Sequence, residues 1–301
     1  MRLSALGEFG LIRRLARRLP KDPRVIRAIG EDAAVLPYTS KEYLLFTTDM
    51  LVEGIHFDLR RATPFQIGWK ALAVNVSDIA AMAGIPRWAV VSLGLPRHLS
   101  VAFCDGLYRG MATLAKKFRT ALVGGDTNRS KILVITIALI GTVPRRRICL
   151  RGGAKVSDWI FVTGHLGGSQ KGKHLSFTPR VREAQRLVRF FKIHSMMDLS
   201  DGLASDLQRL CEESGVGARV IAEDLPLSPG VKNCHQGLSE GEDFELLFTT
   251  DPRQGRRLLK EGRRRVGLPV TRVGEIVPKR KGILLAAAGK TAPLQGGFRH
   301  F

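Results

Sequence analysis

Six aspartates stand where apolar runs meet glycine-rich or polar turns, and this pattern constrains the chain more than any other. The protein is otherwise cationic, with 48 Lys plus Arg against 27 Asp plus Glu. Carboxylates beside apolar segments are costly unless a cation joins them. Hard oxygen ligands suit Mg²⁺, which commonly holds substrate phosphates. The pattern therefore predicts a divalent-metal site of the kind found in kinase-like or ATPase-like reactions, built from Asp32, Asp49, Asp78, Asp126, Asp198 and Asp201.

The length of the chain and its order of elements predict two domains. At 301 residues the chain is long for a single hydrophobic core. Helical and strand patterns mix in both halves, which indicates an α/β or α+β fold. The composition changes at residues 145–158, a stretch with four arginines, two glycines and a lysine. We therefore expect an N-terminal domain over 1–144 and a C-terminal domain over 145–301.

The predicted elements place several of the acids. A strand over 43–48 delivers Asp49 at its end, and a helix over 63–83 carries Asp78 among small apolar residues. A mid-helix Asp there is unfavourable by propensity and by burial, which favours a functional role. A short strand over 121–123 leads into Gly124-Gly125-Asp126, where a tight turn is the usual explanation.

Other candidates carry little weight when taken alone. Asp198 and Asp201 precede a helical pattern, so either capping or phosphate binding explains them, and the two are compatible. His56 is compatible with a satisfied core histidine, and Glu242 with a solvated turn. There is no P-loop motif and no protein-kinase H-R-D or D-F-G set, which excludes those two classes of phosphotransferase.

Composition also bears on location and on macromolecular partners. No apolar run is long enough for a membrane span, and the longest, 132–143, suits a buried strand. The N-terminus lacks the apolar core of a signal peptide, and four scattered cysteines fit reduced thiols, so we expect a cytoplasmic protein. The net charge of +21 is compatible with nucleic-acid binding, with steering of polyphosphate substrates or with a solvated surface. Because aromatics make up only 7% of the chain and do not interleave with the basic clusters, nucleic acid is disfavoured.

Taken together, the motifs resemble those of thiamine-monophosphate kinases, in the superfamily of aminoimidazole ribonucleotide synthetase and selenophosphate synthetase. The resemblance runs almost from end to end. The stretches T-D-M-L-V-E-G-I-H-F and N-V-S-D-I-A-A-M are specific to the kinases, whereas the acidic positions alone identify only the superfamily. The remaining matching segments are G-E-F-G-L-I, I-G-E-D-A-A-V, G-G-D-T, R-G-G-A-K, V-T-G, M-D-L-S-D-G-L-A-S-D-L and G-E-D-F-E-L-L-F.

The resemblance implies a PurM-like fold, in which an N-terminal sheet domain pairs with its copy in a homodimer beside a C-terminal α+β domain. ATP and several Mg²⁺ ions would lie between the domains, and thiamine monophosphate would accept the γ-phosphoryl group in a direct in-line transfer. It assigns catalysis to Asp126, Asp201 and Arg151, nucleotide binding to Gly125, Asp126, Arg151 and Ser200, and substrate binding to His56, Glu242 and Phe298. It assigns metal binding to Asp32, Thr47, Thr48, Asp49, Asp78, Asp126, Asp198 and Asp201.

Two other functions remain open at this point. A sister synthetase would use the same acids to activate a different acceptor, but the glycine-rich tail or reactive Cys of such enzymes is missing. A non-enzymatic basic binding protein on the same scaffold is disfavoured by the intact set of six aspartates. This chain departs from the family pattern at Glu31, at Glu240, in a shortened stretch over 167–179 and at Phe298, which replaces a more usual Tyr or Trp.

Overall fold

A computed structural model describes residues 2–297, which form two mixed sheets and their covering helices. The helices are α1 Leu3–Leu6, α2 Glu8–Ala16, α3 Pro64–Ala81, α4 Val101–Phe118, α5 Val181–Phe190, α6 Leu203–Ser214, α7 Cys234–Ser239 and α8 Pro252–Val266. The strands of the first sheet are β1 Ala34–Pro37, β2 Glu42–Val52, β3 Ile85–Leu95, β4 Ala121–Arg129 and β5 Val134–Pro144. Those of the second are β6 Trp159–Thr163, β7 Ser195–Asp198, β8 Gly217–Ile221, β9 Leu246–Thr250, β10 Val270–Val277, β11 Ile283–Ala287 and β12 Lys290–Pro293.

The first sheet has the strand order β1-β2-β5-β3-β4 and is antiparallel except for the pair β3/β4. Alternate residues of its central strands, such as Ile135, Ile137 and Leu139, are fully buried beneath the helical layer. α3 packs on this face and α4 packs on α3. The opposite face is open, and it exposes Phe46 and Trp88. β4 forms one edge of this sheet.

α3 is the element that joins the two halves. Thr63 caps it in a reciprocal capping box with Gln66, and Pro64 occupies its first turn. The helix is buried on nearly all sides, because it packs on β2 and β5 in its own half and on α5 and β7 in the other. Polar side chains on α3 therefore face partners from both halves of the chain.

The second sheet has the order β12-β11-β8-β10-β6-β9-β7 and is antiparallel except for the pair β8/β11. α6 packs on one face through Leu203, Leu207 and Leu210. α5 and α8 cover the other face, where Phe161 and Phe248 stack with ring centroids 5.6 Å apart. Strands β6, β7 and β9 are therefore buried on both faces, whereas the edge strand β12 is exposed.

Most predicted elements are confirmed, and two are corrected. The hydrophobic pattern and the helix-start signals also predict a helix over 100–118 and strands over 159–163, 270–277 and 283–287. These four elements and the helix over 63–83 are observed within two residues of their predicted ends. The predicted tight turn at Gly124-Gly125-Asp126 is wrong, because β4 continues through it to Arg129. The predicted strand over 43–48 is too short, since β2 passes through Asp49. Within the described part of the chain, no helix combines the length and apolar character needed to cross a membrane.

Candidate active site

A cavity of about 1110 Å³ opens between the two halves of the chain. Its walls come from β2, from α3, from the segment that precedes β1 and from the loop after β7. α2 closes one side through Phe9 and Ile12. The predicted site residues that line it are Asp32, Thr47, Thr48, Asp49, His56, Asp78, Arg151, Asp198, Ser200, Asp201 and Glu242.

Three carboxylates meet at the centre of this cavity. Asp32, Asp78 and Asp198 each contribute one oxygen to a group whose members all lie within 4.8 Å of one another. They come from the segment before β1, from α3 and from the end of β7, so both halves of the chain supply carboxylates. Like charges at such separations repel strongly in a buried site. The arrangement is therefore unfavourable unless protons or a cation neutralise it.

Neighbouring hydroxyl groups hold the carboxylates in place. Thr47 Oγ1 donates to Asp78 Oδ2 at 2.5 Å. Ser77, the residue beside Asp78 on α3, donates its hydroxyl to Asp198 Oδ2 and so joins the two halves directly. The backbone N–H of Asp49 donates to Asn75 Oδ1 at 3.1 Å. These contacts orient the oxygens but supply no positive charge.

The pKa values of the acids record the electrostatic cost. Burial, with repulsion from Asp32 second, raises the pKa of Asp198 to about 7. Burial raises the pKa of Asp49 to about 6, and repulsion from Asp201 and Asp32 adds to the effect. Burial and repulsion from Asp49 and Asp198 raise the pKa of Asp78 well above its usual value. In the absence of a cation, these groups retain protons that ordinary carboxylates have lost.

The residues present fit a hard divalent cation. The donors are carboxylate and hydroxyl oxygens, as Mg²⁺ prefers. The second oxygen of Asp32, Oδ2, is buried and finds no hydrogen-bond partner within residues 2–297. A buried oxygen without a partner is costly, and a bound cation would supply the missing interaction.

Two arginines already pair with members of the acidic set. Arg151 donates from Nη2 to Asp32 Oδ1 at 2.6 Å, and its backbone N–H donates to Glu31 Oε2 at 2.7 Å. Arg209 on α6 pairs with Asp201, and its guanidinium lies 4.1 Å from the ring centroid of Phe9. These pairs involve two of the six aspartates. Within residues 2–297, the carboxylates of Asp49, Asp78 and Asp198 form no salt bridge with an arginine.

His56 and Glu242 line another part of the cavity wall. Val52 N–H donates to Nδ1 of His56 at 3.0 Å, so this nitrogen carries no proton and the ring is in its Nε2–H form. Glu242 lies in the loop between α7 and β9 and has a backbone φ of 65°. Its carboxylate accepts a hydrogen bond from Gln170 Nε2 at 2.8 Å.

Gly125 and Asp126 are not brought to the cavity within one chain. Asp126 lies on edge strand β4 in register with Ser92, Thr136 and Met50, which places it three strand spacings, about 14 Å, from β2. It shares the open face of the sheet with those residues, whereas Asp49 points to the covered face. Phe298 lies outside the described residues. The assigned roles of all these positions stay predictions.

Three residues that line the cavity carried no individual weight in the sequence analysis. Glu31 accepts from the Arg151 backbone, and burial raises its pKa to about 7. Arg209 is three residues after Asp206, a spacing at which opposite charges meet on a helix, and this was the available signal for it. Gln170 lies in the shortened stretch, where two short 3-10 turns leave no sequence pattern to follow.

Comparison with known proteins places this geometry in a family. The model of the AIR synthase related protein N-terminal domain matches residues 30–143, and that of the C-terminal domain matches residues 145–286. The thiamine-monophosphate kinase of Bacillus subtilis (strain 168) is 34% identical, over 98% of this chain and 100% of that protein. That of Aquifex aeolicus (strain VF5) is 37% identical, over 83% of this chain and 87% of that protein.

A solved structure, that of AaThiL complexed with AMPPCP and TMP, superimposes with a TM-score of 0.85. The two chains are 34% identical in sequence, and the superposition covers 100% of this chain and 99% of the AaThiL chain. The similarity thus spans both sheets and the cavity between them. The chain belongs to the thiamine-monophosphate kinase family and carries the N-terminal and C-terminal AIR synthase related domains in that order.

Proposed function

We propose that this protein transfers the γ-phosphoryl group of ATP to the phosphate of thiamine monophosphate, giving thiamine diphosphate and ADP. The observation that carries the proposal is the convergence of Asp32, Asp78 and Asp198 from both halves of the chain on one buried point. The full-length likeness to thiamine-monophosphate kinases, one of them complexed with AMPPCP and TMP, supports this choice of donor and acceptor. The alternative acceptors of the sister synthetases are not favoured by these relatives.

We propose Mg²⁺ as the cation at this point, held by Asp32, Asp49, Asp78 and Asp198 with Thr47 and Thr48 beside them. Bound there, it would supply neutralisation of the phosphate oxygens, since two polyanions must approach each other in phosphoryl transfer. Positioning and charge neutralisation are most of the catalytic task in this reaction class. A structure that gathers acids rather than a nucleophile suits that task.

The acceptor needs no general base. A phosphate monoester has a second pKa of about 6, so its oxygens are mostly ionised at neutral pH. His56 keeps its Nδ1 as an acceptor from Val52 N–H, which suits a binding role for the ring. His56 and Glu242 would therefore bind thiamine monophosphate, while Arg151 and Ser200 would contact the nucleotide.

We propose a homodimer in which Asp126 of each chain completes the cavity of the other. The open sheet face exposes Phe46, Met50, Trp88 and Val90, which is an apolar surface suited to a second copy. The cavity itself reaches this face, because Thr48 and Met50 are among its lining residues. A two-fold axis through the face would allow the exposed Asp126 to approach the partner's cavity, which it cannot reach in its own chain.

The free thiols suit a reducing compartment, and we propose the cytoplasm. Cys104, Cys149, Cys211 and Cys234 form no disulfide in the structure, and burial raises the pKa of Cys149 and of Cys211 to about 12.

Product analysis tests the proposed reaction. Incubation with ATP, Mg²⁺ and thiamine monophosphate should yield thiamine diphosphate and ADP in equal amounts, with no ADP formed when thiamine monophosphate is omitted. A thermal-shift screen of the three ligands should show the largest stabilisation when all are present, because each binds only the folded state. ADP formation that ignores thiamine monophosphate would assign the chain to another acceptor.

A further inference from the structure

One buried lysine contacts both residues proposed to bind thiamine monophosphate. Lys70 lies on α3, in the apolar run W-K-A-L-A-V, and its side chain is 0% exposed. Its ammonium donates to the backbone carbonyl of His56 at 2.7 Å and pairs with Oε1 of Glu242. His56 belongs to the N-terminal half and Glu242 to the C-terminal half, so a single cation spans the division between them.

The burial of this ammonium makes both contacts necessary. Removing an unpaired ammonium from water is very unfavourable, and the remaining interactions must come from the protein. Burial lowers the pKa of Lys70, and the Glu242 carboxylate opposes that effect. Loss of either partner would leave a poorly satisfied charge in the interior. The position of Lys70 is thus tied to the positions of the two groups that it contacts.

Besides the carboxylate oxygen that Lys70 contacts, the other polar groups of Glu242 are also held by hydrogen bonds. Its φ of 65° is a left-handed conformation that is uncommon for a residue with a side chain. The backbone N–H of Glu242 donates to the Ser200 carbonyl at 2.7 Å, and the backbone carbonyl of Glu242 accepts from Ser169 Oγ at 2.5 Å. A strained conformation persists only when the surroundings fix it, and such positions cluster at functional sites.

The turn that carries His56 is fixed in the same way. The His56 ring accepts from Val52 N–H, and the backbone N–H of His56 donates to the Val52 carbonyl at 3.0 Å. The remaining backbone group, the carbonyl, is the one that Lys70 binds. The ammonium therefore sets the distance between this turn and the Glu242 loop across the cavity wall.

We infer that Lys70 is a positioning residue for the thiamine-monophosphate end of the cavity. By binding both His56 and Glu242, it fixes the distance between these two residues. The inference rests on the proposed function. Lys70 itself touches neither substrate, because its side chain is fully buried behind the two residues that line the cavity. It acts on recognition of the acceptor and leaves recognition of the nucleotide unchanged.

Steady-state kinetics of K70M test this role. Because K70M no longer ties the His56 turn to the Glu242 loop, both should be misplaced, which should raise the KM for thiamine monophosphate by roughly tenfold or more, while the KM for ATP stays within about twofold. A general loosening of the interface would raise both values together. Equal rises in the two KM values, or an unchanged KM for thiamine monophosphate, would overturn the inference.

K117M is the matched control. Lys117 on α4 also reaches the other half of the chain, where it donates to Thr178 Oγ1 at 3.1 Å, but it does not line the cavity. Its replacement should leave both KM values within about twofold of wild type. If K70M does not fold, K70Q keeps a donor for both partners while losing the charge. K70Q should raise the KM for thiamine monophosphate at least about threefold, and an unchanged value would count against the role.

The proposed function and this inference fail in different ways. If wild-type protein forms no thiamine diphosphate, the proposed function is wrong whatever the variants do. If wild type is active, the ratio of KM values between K70M and wild type decides the role of Lys70. Combining K70M with E242Q adds a further check, because two residues acting through one contact should raise the KM by less than the product of their separate effects.

Discussion

At the scale of single residues, Asp78 bears an electrostatic cost that comes from burial and from neighbouring acids. Burial, Asp49 and Asp198 all raise its pKa. We expect D78N to abolish turnover and, without Mg²⁺ at pH 8, to raise the free energy of unfolding by about 0.5–2 kcal/mol. Asparagine avoids the cost of either ionising this buried group beside other acids or keeping it protonated. Asparagine can still accept from Thr47. Urea unfolding of D78N measures this, with D105N on the exposed surface of α4 as a control expected within about 0.5 kcal/mol of wild type. A less stable D78N would contradict the repulsion argument.

Asp198 gives a pH dependence of definite sign. Its pKa in the folded protein is about 7, well above the value near ~4 of an unfolded chain. Between those values the folded state holds a proton that the unfolded state has lost, so stability falls as pH rises through about 7. Metal-free wild type should therefore lose stability relative to D198N between about pH 5 and pH 8. Unfolding at a series of pH values tests this, and a difference between the two proteins that is constant with pH would refute it.

The acids of the site were predictable, and most of their partners were not. A carboxylate in an apolar run is costly wherever the chain places it, so Asp32, Asp78 and Asp198 are conspicuous in sequence. Among 48 basic residues, by contrast, nothing local identifies Arg209 as the partner of Asp201 or Lys70 as that of Glu242. Lys70 on α3 meets a loop 172 residues away, and Arg209 on α6 meets Asp201 only because the loop before α6 folds back onto that helix.

At the scale of elements, the glycines of β4 have a different role from the predicted turn. Gly125 allows strand β4 to lie close to strand β3. A Cβ at Gly125 would overlap the carbonyl oxygen of Val91 on β3, whereas one at Gly124 would meet only Val90 Cγ1 at 3.9 Å. We expect G125A to destabilise the protein by about 2–4 kcal/mol and G124A by less than about 1 kcal/mol. Chemical denaturation of both variants tests the close approach of the strands. Equal effects would mean that β3 and β4 do not pack as described.

The sequence analysis did not predict α8, and glycines are again part of the reason. Its buried face consists of Gly255, Leu258, Gly262 and Val266, so two glycines stand where an apolar stripe would show. Gly255 leaves room for the ring of Trp159. Arginines and a lysine occupy much of the remaining surface, and they concealed the helical period. The signals at the helix start, Asp251 as cap and Pro252 in the first turn, were present in the sequence.

At the scale of the whole molecule, the proposed dimer predicts complementation between inactive chains. D126N and D198N should each be inactive, but an equal mixture refolded together should regain about a quarter of wild-type activity, since half of the dimers are mixed and each of these has one intact cavity. A mixture of D32N and D198N should stay inactive, because both changes fall in the cavity of their own chain. Mixed dimers seen by native mass spectrometry without recovered activity would place Asp126 outside the partner's cavity.

The architecture followed from the resemblance of motifs along the chain, but the face on which each acid lies did not. Sequence spacing placed Asp126 with the other acids, whereas the strand order β2-β5-β3-β4 and the alternation of side chains carry it to the opposite face. That position depends on pairings between residues far apart in sequence, which local patterns do not encode.

Counting bound Mn²⁺, a spectroscopic substitute for Mg²⁺, by electron paramagnetic resonance tests the central claim most directly. In the presence of a non-hydrolysable ATP analogue and thiamine monophosphate, wild-type protein should bind more Mn²⁺ per chain than the nucleotide binds alone. D198N should bind fewer ions than wild type. It lacks the carboxylate with which the C-terminal half of the chain completes the group formed by Asp32, Asp78 and Asp198. Equal counts for wild type and D198N would contradict the claim that these carboxylates hold the cations.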